Sequence, residues 1–211
     1  LYAIMKKYDE GGLLIGEAPC MKNMIETTDN DFKVVTAVSV FAIFVIITLV
    51  TGSISIPFIL IAIIELAIFI NLGLPHYFGQ SLPFIAPICI STIQLGATVD
   101  YAILMTTRYK SERIDGNNKI TSVKTALSTS VPSIIVSGMG LFAATFGVAV
   151  YSDIDIISSM CMLLARGAVV SVLMVIFILP AFLLLCDKII CKTTLGMTKI
   201  NINWRLIANE K

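Results

Sequence analysis

Five apolar runs, at roughly 34–51, 54–74, 83–107, 128–150 and 156–186, constrain this chain more than any other feature. About 20 residues almost without charge is the length of α-helix that crosses the hydrocarbon of a bilayer. Inside hydrocarbon a segment must satisfy its own backbone amides, and a helix does so. Composition agrees: 14% of the residues are charged and mean hydropathy is +0.92, where a soluble domain carries about 25% charge. The expectation is an all-α polytopic membrane protein with five transmembrane helices. The last run is longer than one crossing needs, so it tilts or continues past the interface.

Outside the spans the chain is less informative. A net charge of +1 leaves no electrostatic footprint for nucleic acid, and no nucleic-acid partner is expected. Five cysteines (Cys20, Cys89, Cys161, Cys186 and Cys191) show no CxxC spacing and no histidine at ligand distance, so neither a metal site nor a disulfide framework is expected. The first residue is Leu and no charged segment precedes a short apolar run, so no signal peptide is read and the chain looks like a piece of something longer. Residues 1–33 mix Asp9, Glu10, Glu17, Glu26, Asp29 and Asp31 with Lys6, Lys7, Lys22 and Lys33. Within them GLLIGEAP reads as a strand ending a soluble domain. The expected organisation is an extracytoplasmic lead-in over 1–33, a membrane domain over 34–187 and a cytoplasmic tail over 188–211.

Lysine and arginine set the direction. The 108–127 segment carries Arg108, Lys110, Arg113, Lys119 and Lys124, and the tail carries Lys188, Lys192, Lys199, Arg205 and Lys211. The connections 75–82 and 151–155 carry none. The positive-inside rule places the basic segments in the cytoplasm and residues 1–33 outside. His76, Tyr77 and Tyr151 then fall at the outer interface, where amphipathic rings collect.

One carboxylate interrupts the third span. Asp100 precedes Arg108 by eight residues, about 12 Å along a helix. An ionised carboxylate facing lipid at that depth costs on the order of 3 kcal/mol, so it should face protein or a water-filled path. Gly96, Asp100 and Thr107 share one helical face, and Gln94, Thr98 and Tyr101 share the next. Gly96 would let another helix approach, and the Tyr101 hydroxyl can donate to a carboxylate or pass a proton. In the fourth span Ser130, Ser133, Ser137, Gly140, Ala144 and Gly147 form a small-residue stripe suited to close helix packing, with Ser133 and Ser137 near enough to reach the acid's surroundings. Glu65 and Arg166 are the remaining charges well inside spans; each can snorkel, line a cavity or join an ion pair, the other being a candidate partner.

GATVDYAILMTTRYKSER resembles a helix signature of the MMPL branch of the resistance–nodulation–division (RND) superfamily: a glycine-containing turn, an Asp-Tyr pair and an Arg-Tyr exit into a basic loop. SGMGLFAATFGVAVYSD resembles the helix that follows, LLARGAVVSVLMVIFILPAFLLLCDKII the last helix of a half, and IGEAPCMKNMIETTDNDFK the end of an extracytoplasmic α+β porter domain. The likeness covers most of residues 13–196 with its motifs in order. It implies a proton-driven exporter of lipids or amphiphilic compounds in the bacterial plasma membrane, built of two pseudo-repeated halves. It implies a proton relay through Asp100 and Tyr101, which face an equivalent pair in the other half, and no cofactor beyond the proton gradient. The implied partners are membrane lipids, the other half of the transporter and a hydrophobic substrate. One half by itself is not expected to transport, and the INWRLIANE tail favours the C-terminal half. A sterol- or lipid-sensing membrane domain is the alternative. An intramembrane aspartyl protease is a weaker one, because it needs a second intramembrane aspartate.

Overall fold

The computed structural model describes residues 16–77, 83 and 85–194. Its helices are α1 (Glu17–Thr51), α2 (Ser55–Tyr77), α3 (Ala86–Ile114), α4 (Lys119–Tyr151) and α5 (Asp155–Leu173). A π-helical turn (Met174–Ile178) carries α5 into α6 (Leu179–Leu185), and α7 (Asp187–Thr193) follows. The protein is an all-α polytopic membrane protein: five helical segments are long and apolar enough to cross a membrane. No strand occurs among the described residues beyond an isolated bridge between Ser53 and Thr194.

The helices outrun the apolar patterns that announce them. The first span was expected from residue 34, yet α1 is already helical from Glu17. Its start lies inside the GLLIGEAP segment read as a strand: Glu17 and Ala18 are helical, and residues 11–15 lie outside the described ones. The basic segment expected over 108–127 shrinks to a turn at 115–118, because α3 runs to Ile114 and α4 begins at Lys119. Lys, Arg and Glu are good helix formers, so a helix continues past the hydrocarbon until a breaker stops it. Gly116, at φ +90°, is that breaker, and Gly52 ends α1 similarly, at φ 59°, its N–H donating to Thr48 O at 2.8 Å. Tyr77 and Tyr151 stand at helix ends, 86% and 91% exposed. The INWRLIANE tail and the side chain of His76 lie outside the described residues.

The fifth run is not one uniform helix. Pro180 has no N–H to give a carbonyl one turn back, and the preceding π turn widens the helix over Met174–Ile178 to accommodate the break. α3 packs against α1, α2, α4 and α5 and is the central element. Half of its spanning window is buried, against 11% for α1 and 17% for α4, so those two lie at the margin with open faces. Ile47, Leu60, Ile64, Met105, Ile134, Val175, Leu179 and Ile190 fill the core.

At the Arg113 end, α3 is stapled to α7. Arg113 grips Asp187 with two parallel bonds, Nε to Oδ1 at 3.1 Å and Nη2 to Oδ2 at 3.0 Å. The Tyr109 hydroxyl donates to the same carboxylate. Lys110 Nζ donates to Thr51 O at 2.6 Å, closing the C-terminus of α1 onto α3.

Candidate functional site

Successive residues of a helix are turned by about 100°, and α3 uses that rotation to separate two polar faces. Thr92, Gly96, Asp100 and Thr107 are exposed. A Cβ added at Gly96 would meet nothing within 4 Å, and the Asp100 carboxylate forms no hydrogen bond or ion pair among the described residues. Gln94, Thr98 and Tyr101 lie inside, at 3%, 0% and 7% exposure. Asp100 thus points away from the five-helix unit while its neighbour Tyr101 points into it.

The inward face belongs to a polar chain that crosses three helices. Arg166 of α5 donates from Nε to Asn71 Oδ1 at 3.1 Å and from Nη2 to Asn71 O at 3.0 Å. Asn71 Nδ2 donates to Gln94 Oε1 at 2.8 Å and to Leu163 O at 3.2 Å. Gln94 Nε2 donates to Ser171 Oγ at 3.0 Å. Thr98 Oγ1 stands 2.8 Å from Ser171 Oγ and 2.6 Å from Gln94 O. Buried groups such as Asn71, at 0% exposure, are costly unless paired, and here each is paired. Gly167 makes room for them: a Cβ there would lie 2.6 Å from Asn71 Nδ2 and 2.8 Å from Gln94 Oε1.

Beside this chain is a small cavity lined by Gln94, Thr98 and Tyr101 of α3, Leu141 of α4, and Ala168 and Ser171 of α5. Tyr101 is therefore a wall of the same space as Thr98 and Ser171.

Two expectations from the sequence need correction. Glu65 and Arg166 form no ion pair with each other; the guanidinium is taken by Asn71, and Glu65 sits half-buried on α2. The small-residue stripe of α4 does not pack within this unit. Ser130 is buried, but Ser133, Ser137, Gly140, Ala144 and Gly147 are exposed, and a Cβ at Gly140 would meet nothing within 4 Å. The buried row is the neighbouring one through Ser130, Ile134 and Gly138, where a Cβ on Gly138 would stand 2.3 Å from Val172 Cγ2 of α5. An i+4 row lies beside the 3-4 stripe on a helix surface, and only the packing partner decides which is used. Asn71 and Ser171 escaped the sequence reading. Their signal is a lone amide in the apolar run IFINLGL, and a serine four residues beyond the Arg-Gly pair.

Comparison with known proteins finds relatives of this chain. A family model described as the MMPL family matches residues 13–207. "Probable transport protein MmpL12" of Mycobacterium tuberculosis (strain ATCC 25618 / H37Rv) is 27% identical over 180 residues, which are 83% of this chain and 15% of that protein. "Probable transport protein MmpL9" of the same strain is 23% identical over 177 residues, 82% of this chain and 18% of that protein. The chain thus spans less than a fifth of the length of these curated relatives.

Proposed function

The chain belongs to the MMPL family, and on that premise we propose that it is part of a proton-driven exporter of lipids or other amphiphilic compounds, with Asp100 and Tyr101 as its proton relay. The observation that carries this reading is the outward aim of Asp100. A carboxylate in the middle of a span is expensive against lipid, and this one has an open glycine, Gly96, one turn away. Such a surface suits a second helical unit standing against α3 with a polar group of its own. Protonating and charging Asp100 alters how that unit packs, and the movement drives substrate transfer outside the membrane. Tyr101, inward and adjacent, supplies the hydroxyl of the relay.

The direction follows from charge. With the Arg108–Arg113 end and α7 in the cytoplasm, the proton enters from the outer side and leaves toward the basic end. The bacterial plasma membrane is the compartment this reading implies, and its energy source is the proton gradient rather than a bound cofactor.

Asp100→Asn in the full-length protein, made at normal level, tests the proposal. Transport under a proton gradient should fall to background. Export at the wild-type rate would sink the relay assignment, and an unchanged rate in Tyr101→Phe would reduce that residue to packing.

A further inference from the structure

The hydrogen-bonded chain between α2, α3 and α5 has a fixed direction. Arginine can only donate, so Arg166 compels Asn71 to present Oδ1 to it. The other end of that amide, Nδ2, must then face Gln94 Oε1. Gln94 in turn has only Nε2 left for Ser171. Thr98 Oγ1 closes the series, paired with Ser171 Oγ at 2.8 Å and with Gln94 O at 2.6 Å. Five side chains are thereby locked in sequence, with no member able to flip without leaving a buried partner unpaired. Two amide side chains in the series make it unsuitable for carrying protons. It is suited to holding a helix at one rotation.

We propose that Arg166, Asn71, Gln94, Ser171 and Thr98 are positioning residues for the Asp100–Tyr101 pair. They fix the rotation of α3 about its axis, and so the place of the Tyr101 hydroxyl relative to the Asp100 carboxylate. The inference rests on the relay reading given above. Three observations support it. Gln94 and Thr98 are side chains by which α3 is hydrogen-bonded on this flank, one turn apart and both buried. Tyr101 comes three residues after Thr98 and shares its cavity with Gln94, Thr98 and Ser171. Gly167 admits the two amides where a side chain would expel them, so the backbone of α5 is shaped to this chain. Few other charges can confuse a readout at Asp100. Glu65 on α2 and Arg166 on α5 are the other charged residues deep in the spans. α1 has none after Lys33 and α4 none after Lys124, and His76 closes α2.

The test is the pH dependence of dicyclohexylcarbodiimide labelling at Asp100, a reaction of the protonated carboxyl. It is read by mass spectrometry on the natural full-length protein in phosphatidylethanolamine–phosphatidylglycerol vesicles and needs no substrate. Thr98→Val is nearly isosteric and deletes the last hydroxyl of the chain. It should move the labelling midpoint, and Thr98→Ser should return it to wild type. The Thr98→Val shift should vanish in a Tyr101→Phe background, because residues acting through one another are not additive. Ser171→Ala should reproduce the shift and carries the same test if Thr98→Val fails to accumulate. A midpoint unmoved by both substitutions, or a shift undiminished in Tyr101→Phe, overturns the positioning role while leaving the relay intact. Labelling of Asp100 that is independent of pH overturns the relay reading and the positioning role together.

Discussion

Gly167→Ala adds one methyl group where two buried amides crowd the backbone of α5. The new Cβ would stand 2.6 Å from Asn71 Nδ2 and 2.8 Å from Gln94 Oε1, where ordinary contact begins at 3.4 Å. Both amides must retreat by more than half an ångström, about enough to pull the bonds Asn71 to Gln94, at 2.8 Å, and Gln94 to Ser171, at 3.0 Å, out of range. Two neutral bonds contribute about 1 kcal/mol each, and polar groups left unpaired inside cost about 1–3 kcal/mol. Overpacking adds roughly 1–3 kcal/mol, and the better helix propensity of alanine returns about 1 kcal/mol. A net loss of about 3–7 kcal/mol is expected. Gly73→Ala is the control: a Cβ there meets nothing within 4 Å, so only the propensity gain should remain. Unfolding of the full-length protein by dodecyl sulfate in mixed micelles, followed by the reactivity of Cys161 on α5, measures both. If Gly167→Ala is as stable as Gly73→Ala, the steric account of this glycine is wrong.

Asp187→Asn should cost about 2–3 kcal/mol, because it strips a mostly buried arginine (side chains 17% and 11% exposed in the Arg113–Asp187 pair) of its counter-charge. The same unfolding titration, together with faster alkylation of Cys191, would show it; no change in either would mean the staple is idle. Cys191 should itself react slowly with maleimide. Burial pushes its thiol up, so at a given pH less of it is thiolate than in an ordinary cysteine, and its labelling should need a higher pH than that of exposed Cys20. Equal rates at neutral pH would contradict the burial.

The spans were legible because hydrocarbon length and the absence of charge are properties of a run of residues, independent of what packs beside it. The same is true of the two faces of α3, which follow from rotation alone: Gly96, Asp100 and Thr107 on one, Gln94, Thr98 and Tyr101 on the other. Helix ends were less legible. Segments such as RYKSERI and EAPCMKNMIETTDNDFK have no apolar pattern to reveal them, yet their residues extend a helix already begun.

Partner choice could not be read from the chain. Both the stripe Ser133–Ser137–Gly140 and the row Ser130–Ile134–Gly138 allow close approach, and contact with α5 selects the second. Arg166 looked like a candidate partner for Glu65 because charge is what a sequence displays. The fold gives it Asn71 instead, since two helices bring an amide within 3.1 Å of the guanidinium. A sequence determines which residues share a face and which runs can cross a bilayer, because those depend on local geometry. Which face turns inward, and which polar groups meet there, is decided only when the helices pack, because the amides of Asn71 and Gln94 find their partners on other helices.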